Sequence, residues 1–291
     1  METTTGLSIA RNTAALHEQT AGWRTGGGRV ALVPTMGAIH RAHLSLIEIA
    51  AKRADHVVVS IFVNPKQFGP GEDFEDYPRP LATDLEALRA TAAEVVFLPG
   101  LEEIYPPDLS ADIAAGKLGD MMCGQSRPGH FDGVATVVAR LFRLCHPDLA
   151  VFGEKDFQQL QIIRAMVLDQ AMPVEIIGAP LCRDDDGLAI SSRNAYLSEG
   201  ERRAALALPE TLKDLTTRAG QGEALRELEK EGLDRLRKAG LSVEYLEFRT
   251  EEGLKLAADI SRPLRLFAAL RAGRTRLIDN MQVGAPSNKT Q

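Results

Sequence analysis

Two histidines three residues apart, His40 and His43, stand where an apolar helical pattern begins in this chain. Side chains at this spacing share one face of a helix, so both imidazoles can donate hydrogen bonds to the same group. The N-terminus of a helix also has unpaired N–H groups and a partial positive charge, and it attracts phosphate oxygens. The pair therefore indicates a phosphate-binding site. Similar turns and histidine pairs also occur without this role, so the rest of the chain must decide.

The histidines follow a strand pattern and a tight turn. Residues 30–33 are all apolar, which is typical of a strand buried on both faces. We expect this strand to end at Pro34, because proline cannot donate to a strand ladder. Met36 and Gly37 then supply a turn, since glycine is free to adopt positive φ. This order places the histidines just beyond the carboxyl end of a strand.

The first 180 residues alternate strand-like and helix-like patterns joined by short connections. Predicted strands cover 30–33, 57–63, 95–98, 149–152 and 174–177, and predicted helices cover 8–23, 43–50, 81–92, 134–144 and 157–168. The alternation predicts an α/β fold, a doubly wound, Rossmann-like parallel sheet with helices on both faces. Ligands in such sheets bind at the carboxyl ends of the strands. Residues 101–133 are irregular, which is typical of a functional loop.

The remainder of the chain has a different character. Asp184-Asp185-Asp186-Gly187 contains three acids that suit a metal, but Asp-Gly between two short extended pieces favours a hairpin turn. Beyond it lie two predicted helices, 199–218 and 222–239, and three strand-like runs, 242–249, 264–270 and 275–283. We therefore predict a Rossmann-like domain at 1–182 and a smaller α+β domain at 183–291.

Composition excludes several classes of partner. The 291 residues carry 34 basic and 40 acidic side chains, a formal charge of −6, and the absence of a clustered basic run argues against nucleic acid. No apolar stretch approaches the 18 residues of a membrane span, and the N-terminus lacks a secretory signal pattern. Cys123, Cys145 and Cys182 are odd in number and form no zinc pattern. The sequence therefore predicts a cytoplasmic protein.

A second cluster with phosphate-binding character covers residues 152–159, at a predicted strand end and helix start. Lys155 would be a point charge directed at phosphates, and Gln159 would lie one turn into the helix, facing the same cleft. A solvated lysine beside a helix cap, Asp156, is the alternative interpretation of the same residues.

Two more clusters complete the set. Ser191-Ser192-Arg193 offers two hydroxyls and a guanidinium, which suit a mobile clamp over phosphates; an ordinary polar loop is the alternative. Asn64, Gln67 and Tyr77 offer neutral groups that suit a small hydroxylated carboxylic acid. The chain contains no GxxxxGK[ST], GxSxG or HExxH pattern, so any nucleotide would be bound by the histidine turn.

These clusters belong to motifs that occur in a fixed order along the chain. They are Pro34-Thr35-Met36-Gly37 with His40 and His43, Ser60-Ile61-Phe62-Val63-Asn64-Pro65 with Gln67-Phe68, Phe152-Gly153-Glu154-Lys155-Asp156 with Gln158-Gln159, Ser191-Ser192-Arg193-Asn194, and Arg276-Leu277-Ile278-Asp279-Asn280. Together they resemble the pantoate–β-alanine ligase (pantothenate synthetase) family of the HxGH nucleotidyltransferase superfamily. The resemblance extends from about Arg29 to Asn280.

The resemblance implies an activity. Members of the family make pantothenate from pantoate and β-alanine with ATP and Mg²⁺, through a pantoyl-adenylate, and they release AMP and pyrophosphate. It also implies a homodimer and a C-terminal domain that acts as a lid. The expected partners are therefore pantoate, β-alanine and ATP, with neither nucleic acid nor membrane.

The resemblance further assigns roles by position. ATP would be bound by Met36, His40, His43, Gly153, Lys155, Asp156, Ile190, Ser191, Ser192 and Arg193, of which His40, His43, Lys155 and Arg193 would be catalytic. Pantoate would be bound by Gln67 and Gln159. The cleft would be lined by Pro34, Thr35, Tyr77, Arg127 and His130, and Asp84 occupies the position near the metal.

The chain departs from the family pattern at two positions. Ala42 replaces the glycine of His-x-Gly-His, and Ile190 replaces the usual methionine before Ser-Ser-Arg.

Two other functions share the same histidine turn. One is transfer of AMP or CMP to a phosphorylated acceptor, which would yield a nucleotide conjugate. The other is nucleotide binding without catalysis, which would not require His40, His43, Lys155 and Arg193 together.

Overall fold

The strands predicted for the first 180 residues form one parallel sheet. The computed structural model describes residues 6–107 and 112–284. Within them the sheet contains β1 (Ser8–Ala10), β2 (Val30–Thr35), β3 (His56–Ile61), β4 (Val95–Phe97), β5 (Leu149–Gly153) and β6 (Glu175–Ala179). Their spatial order is β1-β4-β3-β2-β5-β6, so the winding direction reverses between β2 and β5. This doubly wound arrangement confirms the predicted fold class.

Helices cover both faces of this sheet. The helices in this part of the chain are α1 (Thr13–Thr25), α2 (Arg41–Ala51), α3 (Leu81–Arg89), α4 (Leu101–Ile104), α5 (Cys123–Ser126), α6 (His130–Cys145) and α7 (Phe157–Asp169). On one face Val33 packs in a buried cluster with Ile47 of α2 and Leu88 of α3. On the other, the ring of Phe142 in α6 lies 6.4 Å from that of Phe152 in β5. Burial on both faces explains why β2 is apolar throughout its first four residues.

The prediction that β2 ends at Pro34 is wrong, since the strand continues through Pro34 to Thr35. The carbonyl of Thr35 accepts from Phe62 N at 3.1 Å, so Thr35 bonds toward β3 and Pro34 faces the other neighbour. On that side the pairing with β5 extends only to Leu32. The missing N–H of Pro34 therefore has no ladder partner to lose.

Other element boundaries also differ from expectation. Residues 8–10 form an edge strand before α1 rather than its first turn, because Asn12 caps the helix by accepting from Ala15 N at 2.8 Å. The stretch 101–133, of which 108–111 lie outside the described residues, contains α4, α5 and a 3₁₀ turn at Gly116–Leu118. Helix α6 begins at His130, four residues before the predicted start.

The second unit combines helices with an antiparallel sheet, as predicted. It contains α8 (Glu199–Ala205), α9 (Ala207–Gly220), α10 (Leu225–Lys238), β7 (Ser242–Thr250), β8 (Leu264–Ala272) and β9 (Thr275–Gln282). The predicted helix 199–218 is interrupted at Leu206, and the predicted hairpin at 184–187 is present, closed by a bridge between Arg183 and Ala189. A buried cluster that includes Leu212, Leu236 and Phe248 joins the helices to the sheet.

Contacts between residues divide the chain into two units. The first unit comprises the chain up to Glu154 together with Gln159–Pro180, and the second comprises Lys155–Gln158 and the chain from Leu181 onward. Lys155–Gln158 join the second unit because Asn280 donates to the Lys155 carbonyl at 3.0 Å. In the described residues no helix is long and apolar enough to cross a membrane.

Helices α7 and α10 end in the same type of C-terminal cap but differ in the residue at its left-handed position. Substitutions at these two positions should therefore change stability in opposite directions. After α7, Met172 N donates to Val167 O at 3.0 Å and Ala171 has φ of +48°. After α10, Leu241 N donates to Leu236 O at 3.2 Å and Gly240 has φ of +83°. Both are Schellman ends, but only one has the glycine that this conformation favours.

We expect Ala171→Gly to stabilise its unit and Gly240→Ala to destabilise the other, each by about 1 kcal/mol. A left-handed non-glycine residue costs roughly 1–2 kcal/mol, and the greater unfolded-state entropy of glycine offsets about 0.4–1 kcal/mol of that. Urea denaturation measures both changes in the free energy of unfolding. A loss of stability in Ala171→Gly would show that the left-handed backbone of Ala171 does not destabilise the folded state.

Candidate active site

The loop after β2 is held in an unusual conformation by a buried carboxylate. Gly37 has φ of +83° and Ala38 has φ of +50°. The side chain of Asp84, which is only 2% exposed, accepts from Ala38 N at 2.9 Å and from Ile39 N at 2.7 Å. Asp84 lies on α3, one turn from the buried Leu88. Helix α3 thus fixes the turn that leads to the histidines.

The two histidines form a reciprocal cap at the start of α2. His40 is the N-cap residue and His43 is the third helical residue. His43 N donates to the His40 carbonyl at 2.8 Å, and His40 N donates to Nδ1 of His43 at 3.3 Å. Their rings stack with centroids 4.0 Å apart and planes 11° apart. Because Nδ1 of His43 accepts, its imidazole is neutral and carries its proton on Nε2, as a donor.

Gln67 lies in the loop after β3 and contacts the loop after β2. Its amide Nε2 donates to the sulfur of Met36 at 2.9 Å, and its Oε1 accepts from Asn64 at 3.2 Å. Asn64 is 1% exposed and also donates to the Gly133 carbonyl at 3.1 Å. These contacts bring together Met36 and Gln67, which belong to separate motifs in the sequence.

Arg127 and His130 also converge on Gln67. His130 Nδ1 donates to the Gln67 carbonyl at 2.7 Å, and Arg127 Nη2 donates to the same oxygen at 3.2 Å. Arg127 in turn forms a two-pronged ion pair with Glu72 at 2.7 and 2.5 Å. Burial acts to raise the pKa of Glu72, but the hydrogen bonds and charge of Arg127 outweigh it and hold that pKa below its ordinary value. No sequence pattern pointed to Glu72, since acids in loops are ordinary.

The other first-unit residues predicted for the cleft lie on β2, on β5, in the segment between β3 and α3, and on α7. Pro34 and Thr35 end β2, Gly153 ends β5, and Tyr77, 6% exposed, stacks edge-on against Phe68 at 5.8 Å. Gln159 is the third residue of α7 and is half-buried.

In the second unit, Lys155 lies in a 3₁₀ turn, Glu154–Asp156. Its ammonium is 3.6 Å from the carboxylate of Asp156. Its carbonyl accepts from Asn280, whose Oδ1 accepts from the buried Arg265 at 2.7 Å. The guanidinium of Arg265 lies 4.1 Å above the ring of Phe157. The main chain at Lys155 is therefore anchored, while its side chain is 22% exposed.

A buried ion pair neighbours this turn. Arg183 binds both oxygens of Asp279 at 2.7 and 3.0 Å, and Asp279 is 2% exposed. Burial raises the pKa of Asp279, and the hydrogen bonds and charge of Arg183, together with the charge of Lys155, oppose that rise. Neither residue was among the predicted site residues.

The Ser-Ser-Arg motif forms a short 3₁₀ turn, Ser192–Tyr196. Ser191 caps it by accepting from Arg193 N at 3.3 Å, and Asn194 donates to the Ala189 carbonyl at 3.0 Å. Ile190, 8% exposed, donates its N–H to the Cys182 carbonyl at 3.0 Å. The motif is therefore anchored at both ends, and the side chains of Ser191, Ser192 and Arg193 are half-buried.

The sheet is doubly wound, and a histidine-capped helix follows β2, the switch strand at which the winding direction reverses. These features define the class of protein as a nucleotide-binding α/β protein. The chain belongs to the pantoate–β-alanine ligase family, whose model matches residues 8–282. This membership confirms the predicted resemblance. It favours a ligase over transfer to a phosphorylated acceptor and over nucleotide binding without catalysis.

Similar proteins extend over nearly the whole chain. The pantothenate synthetase of Sphingopyxis alaskensis is 48% identical and covers 96% of this chain and 100% of its own length. A solved pantothenate synthetase from Thermus thermophilus is 43% identical with a TM-score of 0.89, over 95% of this chain and 99% of that one. A solved pantoate–β-alanine ligase from Francisella tularensis, complexed with β-γ ATP and β-alanine, is 33% identical with a TM-score of 0.79, over 97% and 100% of the two chains.

Proposed function

We propose that this chain condenses pantoate with β-alanine to pantothenate, with consumption of ATP, through a pantoyl-adenylate. The observation that carries the proposal is the pair His40 and His43, which caps α2 just beyond the switch strand β2. There the N–H groups of the first helical turn and Nε2–H of His43 are all donors, the set that a polyphosphate requires.

The first step would be attack of a pantoate carboxylate oxygen on the α-phosphorus of ATP. The bond from that phosphorus to the pyrophosphate oxygen breaks, and negative charge grows on the leaving group. Protein groups need only hold the reactants in line and stabilise this charge. His40, His43, Lys155 and Arg193 are the donors that we assign to the phosphates from the family resemblance. Met36, Gly153, Asp156, Ile190, Ser191 and Ser192 complete the proposed ATP contacts.

In the second step the neutral amine of β-alanine would attack the carbonyl carbon of the adenylate. The carbon–nitrogen bond forms, the bond to the AMP oxygen breaks, and the proton lost by the nitrogen passes to solvent. Pantoate would be held throughout by the amides of Gln67 and Gln159, which can both donate to carboxylate oxygens and accept from hydroxyls. The contact of Gln67 with Met36 supports this assignment, because it joins the proposed pantoate and ATP residues.

Mg²⁺ would enter with the nucleotide. Within residues 6–107 and 112–284, no group of three or more His, Cys, Asp and Glu side chains is arranged to hold a metal. Mg²⁺ usually keeps several waters and binds substrate phosphates with one or two carboxylates, so the triphosphate would be its main ligand and would have its charge partly neutralised. Both oxygens of Asp84 accept backbone N–H groups, and its role near the metal stays a prediction.

Product identification tests this function. The chain is incubated with ATP, Mg²⁺, pantoate and β-alanine, and products are identified by mass spectrometry. We expect pantothenate and AMP in equal amounts. A nucleotide joined to a phosphorylated acceptor, or unchanged ATP, would contradict the proposal. The homodimer and the lid role of the C-terminal domain stay predictions of the resemblance. The cytoplasmic location and the domains 1–182 and 183–291 stay predictions of the sequence.

Substitutions at Ala42 test where the nucleotide base lies. Ala42 is the second residue of α2 and half-buried, so its backbone is helical and alanine is favoured there over glycine by about 0.5–1 kcal/mol. We expect Ala42→Gly to lower thermal stability slightly and to change the ATP KM by less than about tenfold, the size of a 1.4 kcal/mol effect. Ala42→Leu should block ATP while the fold survives. Nucleotide titration that shows unimpaired binding by Ala42→Leu would exclude base packing on this turn.

A further inference from the structure

The main-chain carbonyl of Gln67 is held by two side chains near the start of α6. His130 Nδ1 lies 2.7 Å from it and Arg127 Nη2 lies 3.2 Å from it. Arg127 Nη1 also lies 2.9 Å from His130 Nε2. Because Nδ1 of His130 donates to a carbonyl and Nε2 accepts from a guanidinium, this imidazole is neutral. The pair therefore fixes the direction of the peptide that follows Gln67.

Glu72 fixes the arginine in turn. Its two oxygens bind Nε and Nη2 of Arg127 at 2.7 and 2.5 Å, the planar two-pronged geometry that allows a guanidinium little freedom. The Arg127 side chain is 14% exposed and that of Glu72 is 24% exposed. The pair is therefore shielded enough to be ordered, and the remaining donors of Arg127 bind His130 and Gln67.

Gly133 holds the same loop by close approach. A Cβ atom on Gly133 would lie 2.4 Å from the Lys66 carbonyl oxygen and 2.9 Å from Gln67 N. Both are backbone atoms, which cannot move aside as the end of a flexible side chain can. Helix α6 therefore lies directly on the turn that carries Gln67, and the Gly133 carbonyl accepts from Asn64, which also donates to the Gln67 side chain.

We propose that Glu72, Arg127 and Gly133 are positioning residues that orient Gln67 toward pantoate, without touching the substrate themselves. The proposal rests on the assignment of pantoate to Gln67. Rotation of the Gln67 peptide would move its side-chain amide away from Met36, and the loss would concern pantoate rather than ATP or β-alanine.

Steady-state kinetics of Glu72→Ala test this first. We expect Glu72→Ala to raise the KM for pantoate by about tenfold or more, while the KM for ATP changes by less than about twofold. Glu72→Gln keeps one acceptor, so its KM for pantoate should lie between those of the parent and Glu72→Ala. Glu244→Ala is the matched control, because Glu244 binds Arg276 through two prongs at 3.1 and 2.8 Å with side-chain exposures of 21% and 15%. It removes an equivalent ion pair in the second unit and should leave the pantoate KM unchanged.

A double-substitution cycle shows whether Glu72 acts through Gln67. If it does, Glu72→Ala should raise the pantoate KM in the parent and have no further effect in a Gln67→Ala background. Equal effects in both backgrounds would overturn the proposal. So would equal rises in every KM for Glu72→Ala. An unchanged pantoate KM in Gln67→Ala would refute the assignment of pantoate to Gln67, and lack of any pantoate-dependent activity in the parent would refute the proposed function.

Gly133→Ala tests the same proposal through a different contact. The added methyl should push the 3₁₀ turn Pro65–Gln67 and raise the pantoate KM selectively, as is expected of Glu72→Ala. Gly200→Ala is its control, since Gly200 also lies in a helix and has no atom within 4 Å of the added methyl. A Gly133→Ala enzyme with parental pantoate KM would show that the close approach does not orient Gln67, and would overturn the role of Gly133.

Discussion

Replacement of Lys155 by alanine should slow formation of the adenylate by about 10²–10³-fold, while pantoate binding changes little. Loss of one preorganised donor to developing negative charge costs roughly 2.7–4 kcal/mol of barrier, by analogy with oxyanion holes. The lysine suits this role because its main chain is anchored by Asn280 and its ammonium has only Asp156, at 3.6 Å, as an ion-pair partner within the described residues. Single-turnover measurement of AMP transfer to pantoate gives the rate directly.

Two other substitutions sharpen that experiment. Lys155→Arg keeps the charge but spreads it over a planar group, so it should recover only part of the rate. Lys230→Ala removes an exposed lysine from α10 and should leave the rate at the parental value. An adenylation rate unchanged in Lys155→Ala would remove this residue from the site.

Replacement of Asp84 by asparagine should abolish most activity and lower the free energy of unfolding by about 2–5 kcal/mol. Its two oxygens accept from consecutive backbone N–H groups, of Ala38 and Ile39. Asparagine would direct its N–H₂ group at one of them. That backbone N–H and the amide N–H₂ are then two part-buried donors without acceptors, at about 1–3 kcal/mol each. The turn before His40 would then lose its conformation, and the histidine cap with it.

The matched control lies at the other end of the same strand. Asp148 accepts from Val30 N at 2.7 Å, where β2 begins and no site residue is proposed. Asp148→Asn should cost stability but leave the KM for ATP and the rate of adenylation near parental values. Chemical denaturation and single-turnover kinetics of the two variants separate the effects. Equal kinetic losses in both would show that Asp84 contributes only to stability.

The patterns that could be predicted are local ones. Continuous apolar runs identified the central strands, and the helical pattern at 81–92 identified α3, because these periods follow from the geometry of each element. The Asp-Gly turn at 186–187 could also be predicted, because the residues of a tight turn determine its conformation locally. The three-residue β1 was missed, because three residues are too few to show alternation and its pairing with β4 is a long-range contact.

The histidine turn was predicted, but the anchoring role of Asp84, the side chain that holds it, was not. Asp84 is 46 residues from Ala38 in sequence, and its only local sign is an acid on the apolar face of α3. Glu72 and the Arg183–Asp279 pair likewise act through contacts that depend on how loops fold back. Pro34 gave a wrong strand end. Whether its missing N–H breaks a strand depends on how far the neighbouring strand extends. Anchoring contacts of this kind are set by tertiary structure.

The most direct test of the adenylate mechanism is exchange of labelled pyrophosphate into ATP. An enzyme that forms an adenylate first must run that step backward, so pyrophosphate and the bound adenylate regenerate ATP. We predict exchange that requires pantoate and Mg²⁺ but proceeds without β-alanine, and that falls in Lys155→Ala in proportion to adenylation. Production of ADP and phosphate, or exchange that begins only when β-alanine is added, would contradict the proposed mechanism.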